Sequence, residues 1–504
     1  MNKGKKWFRA LFKRRVQVVM LLILQILLIA FLIINGSNYL IINIGLVVIS
    51  ILVALHVVAK DDKSEYKLTW VFLILLFPLF GGLFYLLFKF QSSTRKFTKR
   101  LDKFSDENLE PNYFTNTMYC DNPLVRYLTC YNKFPLYDCT KTTYLENGQL
   151  FYENLLEELE KAKKYIFLEY YIIAQGKMWN SIFEILKRKV EEGVKVRIIY
   201  DDMGCLLLLP NKFDKYLKQY GIECVVFNPF RPLLATIQNN RDHRKIAVID
   251  GMVAFTGGIN LSDEYINPHC RLGCWKDAGI KLEGKAAWTF TTMFLKMWEI
   301  SCNKKENYYD YFPWKKKKCN VSTDGYVQPY ADSPLDGENI IEHIYLYIIS
   351  HAKKYVYINT PYLIIDDNIM QALKMAAKSG VDVRIVVPHK WDKKLVHFTT
   401  RSYYQTLIKA GIKIYEYSLG FIHSKVIVSD DTIATVGTAN LDFRSLYLNF
   451  ECGSCIYDAK CIMDIKKDFL STVDVSLEIT LEDCKMNYFI RSLQAICRLF
   501  APLM

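Results

Sequence analysis

The sequence predicts an α/β protein of two pseudo-symmetric halves sharing one site, preceded by apolar segments long enough to cross a bilayer. Three observations carry this. A pattern of His, Lys, Asp, Gly and Asn occurs twice without a gap. Helix and strand phrases around it repeat at an offset of about 180–190 residues, a long-period internal duplication. Three apolar stretches occupy the first ninety or so residues, each near the roughly 20 that a bilayer span needs.

Residues 1–15 form a basic tail containing Lys3, Lys5, Lys6, Arg9, Lys13, Arg14 and Arg15. Residues 16–90 hold the apolar segments, over 16–34, 39–59 and 68–88. The first is not read as a cleaved signal, because no small-residue cleavage site precedes the second apolar run. The basic tail places the amino terminus in the cytoplasm, and two spans return the chain there at Lys60-Asp-Asp-Lys63. A third full span would carry the rest outside, yet Lys89, Arg95, Lys96, Lys99 and Arg100 follow it. Pro78, Gly81 and Gly82 offer a way to break this segment into a re-entrant hairpin. The expectation is a multi-pass protein of the cell membrane with its folded part on the cytoplasmic face.

Residues 91–140 read as a polar, Tyr-rich linker, followed by halves over 141–320 and 321–504. Ala162-Lys-Lys-Tyr165-Ile-Phe-Leu-Glu169 answers Ala352-Lys-Lys-Tyr355-Val-Tyr-Ile-Asn359, and Gly193-Val-Lys-Val-Arg197 answers Gly380-Val-Asp-Val-Arg384. Helices alternate with strands in each half, so a mostly parallel sheet is expected. The carboxyl-terminal stretch from Tyr488 to Phe500 has apolar residues at helical spacing, which fits an amphipathic helix, interfacial or packed on the domain.

The duplicated pattern is His243-Arg-Lys245-Ile-Ala-Val-Ile-Asp250 with Gly257-Gly258-Ile-Asn260, and His423-Ser-Lys425-Val-Ile-Val-Ser-Asp430 with Gly437-Thr438-Ala-Asn440. Its centre is apolar and partly β-branched, which reads as a buried strand. Side chains alternate faces on a strand, so His and Lys share one face and Asp250 and Asp430 point the other way, to structural work. Two imidazoles, two ammonium groups and two amides suit a phosphoryl centre: one imidazole attacks phosphorus, the other protonates the leaving oxygen, and Lys245, Asn260, Lys425 and Asn440 hold phosphate oxygens. Carboxylates near the His are too few for a two-metal centre, so no metal or cofactor is expected. A nucleophilic imidazole needs an acceptor on its second nitrogen. Each half offers one on a later apolar segment, Asp277 and Glu451.

These residues are the double H-x-K-x-x-x-x-D signature of the phospholipase D superfamily, in which Asp250 and Asp430 are motif members. Thr360-Pro361-Tyr362, Arg401-Ser402-Tyr403-Tyr404, Gly437-Thr-Ala-Asn440-Leu-Asp442-Phe-Arg444-Ser445 and Asn449-Phe-Glu451 resemble bacterial cardiolipin synthases of the membrane-anchored type, over most of the chain from the third apolar segment onward. The resemblance implies two phospholipase D-like α/β halves about a pseudo-twofold axis and a phosphohistidine intermediate without metal. It implies His243 as nucleophile and His423 as acid and base. The implied reaction condenses two phosphatidylglycerols into cardiolipin and glycerol. A phospholipase D hydrolase or a transferase with another alcohol acceptor is the nearest alternative, and a nucleic-acid phosphodiesterase a remote one.

A formal charge of +13 fits either nucleic acid or an anionic lipid bilayer. The apolar segments decide for lipid. Lys315–Lys318 beside Trp314 reads equally as a headgroup contact or a solvated run. The 14 cysteines show no disulfide spacing and favour a reducing compartment. Cys452 and Cys455 read as core residues, and Cys270 and Cys274 near His269 as incidental.

Overall fold

The computed structural model describes residues 27, 40–77, 81–82, 85, 99–100, 121–229, 239–268, 272–314, 319, 321 and 325–503. The segment expected over 16–34, the Lys315–Lys318 run, His269 and Cys270 lie outside these, Leu27 apart. The chain divides into an amino-terminal unit and a larger unit carrying both halves of the duplication.

In the amino-terminal unit, α1 (Leu40–Val58) and α2 (Ser64–Leu76) bury Val53, Ala54, Val57, Trp70, Ile74 and Tyr85 together. Among the described residues no helix is long and apolar enough to cross a membrane. The segment expected over 68–88 begins earlier, and α2 is only 13 residues long. It stops at Phe77 because the residue before a proline is pushed out of helical geometry. A β-carbon on Gly81 would lie 2.5 Å from the Ile74 backbone, so the chain comes back against α2 where only glycine fits.

In the larger unit a helical segment over Pro123–Arg126 and Tyr127–Tyr131 comes first, then β1 (Thr140–Leu145), α3 (Gly148–Lys161), β2 (Tyr165–Tyr170), α4 (Lys177–Glu191), β3 (Lys195–Asp201) and β4 (Glu223–Phe227). Then follow β5 (Arg241–Asp242), β6 (Lys245–Ile249), β7 (Val253–Gly257), β8 (Cys274–Lys276), β9 (Gly279–Gly284) and α5 (Ala287–Cys302). Local chemistry sets the ends: Asn147 caps α3 by accepting from the Leu150 amide at 2.9 Å. The sheet runs β1-β9-β7-β6-β2-β3-β4. Only β2, β3 and β4 are parallel, so the expectation of a mostly parallel sheet is corrected to a mixed one. The cause is the two-residue turn at Asp250-Gly251, both with positive φ, which folds β6 back on β7 as a hairpin.

The second half repeats this with β10 (Tyr326–Asp332), α6 (Ile340–His351), β11 (Tyr355–Asn359), β12 (Leu363–Ile364), α7 (Asp367–Lys378), β13 (Asp382–Pro388), α8 (Lys394–Ile408) and β14 (Lys413–Tyr417). The chain continues through β15 (Gly420–Ile422), β16 (Val426–Ser429), β17 (Ile433–Gly437), β18 (Leu441–Asp442), β19 (Asn449–Tyr457), α9 (Cys461–Asp474), β20 (Ser476–Ile479) and the amphipathic α10 (Tyr488–Leu499). Its sheet, β10-β19-β17-β16-β11-β13-β14-β20, is mixed in the same way. Each half has its own apolar core. Cys452 and Cys455 are buried in β19, and Cys274 is exposed on β8.

The halves are joined by exchanged strands. β5 of the first half pairs with β19 of the second, and β15 of the second pairs with β8 of the first. These two short pairings deliver the motif histidines.

Candidate active site

Each motif histidine sits one residue past an exchanged strand. The His243 amide donates to the Phe450 carbonyl at 2.9 Å, and the His423 amide to that of Lys276 at 2.7 Å. Both imidazoles are therefore anchored by backbone of the opposite half.

Their side chains are exchanged too. His243 Nδ1 lies 2.9 Å from both oxygens of Glu451, and His423 Nδ1 lies 2.6 Å from Asp277 Oδ2. The two carboxylates found in sequence do reach the two histidines, each crossing the seam to do so. With Nδ1 engaged, Nε2 is the nitrogen left to meet a substrate. Tyr171 packs edge-on against His243, its ring centre 4.9 Å away, while Tyr265 and Trp275 flank His423.

The lysines follow the strand parity. Lys245 Nζ donates to the His243 carbonyl at 2.6 Å, and Lys425 Nζ donates to the His423 carbonyl and lies 2.8 Å from its Nδ1. Asn260 Nδ2 donates to the Tyr265 hydroxyl at 2.6 Å, and Asn440 Nδ2 to Asp442 at 3.0 Å, so both amide donors are engaged in the free protein. The buried Oδ1 of Asn440 has no partner.

Asp250 and Asp430 lie outside this cluster. Asp250 accepts from the amides of Lys163, Lys164 and Tyr165, and Asp430 from those of Lys353, Lys354 and Tyr355, at 2.6 to 2.9 Å.

Three residues of the quoted phrases prove to support the carboxylates, a role the sequence reading did not give them. Thr438 and Asn449 both donate to Glu451. Gly258, the counterpart of Thr438, is obligatory: a β-carbon there would lie 2.1 Å from Asp277 Oδ1. The Gly-Gly and Gly-Thr phrases carried the signal, since each ends beside its carboxylate.

Burial dominates the electrostatics. Desolvation pushes Lys245 down to about 8 and Lys425 down to about 7, and places both imidazoles below the usual histidine range, His423 far below. Neighbouring ammonium groups push the imidazoles the same way, each lysine acting on the other half's histidine as well as its own. Burial raises Asp277 to about 7. Burial acts likewise on Glu451, but His243, Lys245 and the Thr438 hydroxyl outweigh it and hold that carboxyl below its ordinary value. The arrangement buries two imidazoles, each on a carboxyl of the opposite half, beside two lysines and two amides, a set of groups suited to displacement at a phosphodiester.

Known proteins carry the same organisation. A family profile described as "Cardiolipin synthase, PLD-like domain" matches residues 155–298 and 345–473, and one described as "Phospholipase_D-nuclease N-terminal" matches 48–89. An uncharacterized protein of Streptococcus mutans is 44% identical over 89% of this chain and 99% of its own length. A cardiolipin synthase of Halalkalibacterium halodurans is 34% identical over 93% of this chain and 94% of its own. In fold, the chain is similar to a phosphatidylserine synthase of Haemophilus influenzae, with a TM-score of 0.58, 14% identity, and coverage of 76% of this chain and 100% of that one. The chain belongs to the cardiolipin synthase family of phosphatidyltransferases within the phospholipase D superfamily.

Proposed function

We propose that the chain condenses two phosphatidylglycerols into cardiolipin and glycerol through a phosphohistidine. His243 Nε2 attacks the phosphorus of the first lipid, and the bond to the headgroup glycerol breaks. The bound phosphate offsets the ammonium groups that hold His423 neutral, so His423 takes up a proton as the lipid binds and gives it to that glycerol. A second phosphatidylglycerol then presents its headgroup hydroxyl, His423 takes the proton back, and the alkoxide displaces His243 to form cardiolipin. Lys245 and Lys425 neutralise the phosphate oxygens, and Asn260 and Asn440 turn from their resting partners to donate to them. Asp250 and Asp430 hold the scaffold.

The observation that carries this reading is the pair of exchanged histidine–carboxylate contacts beneath two buried lysines. Their inequality supports His243 as nucleophile. Glu451 is held toward its ionised form, which stabilises the positive imidazole created on phosphorylation, whereas burial pushes Asp277 toward neutrality.

The chain works at an anionic bilayer as a multi-pass protein with this site on the cytoplasmic face. The basic tail, the apolar segments and the amino-terminal profile match support this, as do Ile41, Leu52, Leu55, Leu68 and Leu75, exposed on α1 and α2. Thiol labelling from either side of sealed vesicles tests the topology. The activity is tested with the purified chain in liposomes containing phosphatidylglycerol, expecting cardiolipin and free glycerol and none from His243→Ala. Phosphatidic acid as sole product would make the chain a hydrolase.

A further inference from the structure

The parallel strands β3 and β13 occupy equivalent places in the two halves, and ligands of open α/β sheets bind at the carboxyl ends of such strands. Each of these two strands hands the chain to a loop with exposed apolar side chains. After β3, Asp201 accepts from the amides of Met203 and Gly204 and caps a helical turn over Asp202–Cys205. The turn packs on Tyr171, the residue against His243, with Cys205 Sγ 3.6 Å from the Tyr171 carbonyl. The next residues are four leucines. Leu209 packs against the core, while Leu206, Leu207 and Leu208 face outward, Leu207 at 94% exposure.

After β13 the chain reads His389-Lys390-Trp391-Asp392-Lys393-Lys394-Leu395. Asp392 accepts from the Tyr362 hydroxyl at 2.5 Å, and Lys393 lies over the Tyr362 ring, close enough to His423 to disfavour its protonation. Trp391 is 51% exposed and Leu395 55%. Leu419, at the start of the segment leading to His423, is 53% exposed, and its carbonyl accepts from Cys274 at 2.9 Å. Glycine at 273 is flanked by both the Leu419 carbonyl and the Lys390 ammonium, so these two meet there.

We propose that these two loops, one from each half, insert into the headgroup layer of an anionic bilayer, so that the mouth of the site opens onto lipid rather than water. Leu206, Leu207 and Leu208 are three consecutive exposed apolar side chains, and Trp391 and Leu395 add to them on the second loop, more than the scattered single residues a water-facing surface carries. Tryptophan prefers the bilayer interface, with its ring among acyl carbons and its N–H among headgroups. Lys390, Lys393 and Lys394 add charge complementary to anionic lipid, their stems reaching past the apolar side chains. Docking at this rim lets a phosphodiester reach His243 and His423 without leaving the bilayer, and keeps water from the intermediate. The inference rests on the transferase reading only for the identity of the lipid.

The test uses the full chain reconstituted in phosphatidylglycerol bilayers with plain or dibrominated acyl chains. Subtracting the emission of Trp391→Phe from that of the wild type isolates Trp391. Its emission falls about twofold in brominated bilayers if the loop inserts. Unchanged emission overturns the proposal: with Trp391 still open to aqueous quenchers it leaves the loop in water, and with Trp391 shielded from aqueous quenchers and bromine alike it assigns the surface to a protein partner. In a second arm, Leu207→Asp combined with Trp391→Asp loses about tenfold in turnover of vesicle-borne phosphatidylglycerol. The same variant stays within about twofold on monomeric short-chain phosphatidylglycerol. Equal losses on both substrates overturn the proposal. A wild-type chain inactive on both would instead remove the transferase reading and leave the quenching arm to decide the docking.

Discussion

At His423 two charged partners compete for one nitrogen: Asp277 at 2.6 Å and the Lys425 ammonium at 2.8 Å, all three groups buried. That crowding is tolerable because both lysines are easily deprotonated and Asp277 easily protonated, and a substrate phosphate restores the missing negative charge. A pH dependence follows. A lysine lowered to about 7 or 8 is charged below that pH and neutral above it. Activity that needs both ammonium groups on the phosphate therefore falls as pH rises through about 7 to 9, and kcat/KM, which reports the free enzyme, shows it. A flat kcat/KM over that range would remove the lysines from phosphate binding. The His243–Glu451 pair gives a second expectation. Glu451→Gln keeps the shape but loses the charge behind His243, so kcat drops about a hundredfold or more with the thermal midpoint nearly unchanged. The residues themselves were legible: duplication picked out both histidines, both lysines and both carboxylates. Which carboxylate serves which histidine was not, because it depends on β5 and β15, strands of two and three residues too short to show a periodicity.

At the scale of elements, the motif strands are fastened from behind. Asp250 and Asp430 sit at φ of 54° and 55°, each at the first central position of a hairpin turn, and each gathers three consecutive amides at the start of the neighbouring strand. Asp430→Ala removes those acceptors and leaves a β-carbon in a left-handed conformation, a loss of about 2–3 kcal/mol. Chemical denaturation should show that loss, while turnover per folded molecule stays near normal. A variant with unaltered stability and no turnover would instead put the aspartate in the chemistry. Strand parity reveals this division of labour because period-two alternation holds through an apolar run. The sheet's mixed direction was also within reach, since Asp250-Gly251 is a hairpin signal. The amino-terminal helices were less legible: hydropathy marks apolar length, whereas Pro78 and the fit of Gly81 against Ile74 end α2 after 13 residues.

At the scale of the molecule, the duplicated halves cannot each hold a working site. His243 draws its backbone acceptor and its carboxylate from the second half, and His423 draws both from the first. The bridge between Tyr137 and Val327, the hydroxyl contact of Tyr144 with Asp468 and the ion pair of Lys276 with Asp468 add to the same seam. Internal repeats in the sequence disclose two halves but not this reciprocity, because an exchange leaves the motif spacing in each half untouched. Covalent continuity between the halves is then dispensable once the chain has folded. A specific protease site inserted between Lys318 and Gly325 and cut after purification should leave the two fragments co-eluting, with cardiolipin formation within about twofold of the uncut protein. Fragments that part on a sizing column in non-denaturing detergent would show that the exchanged strands are too weak to hold the site. Fragments that stay together but lose activity would show that the connection itself sets the distance between His243 and His423.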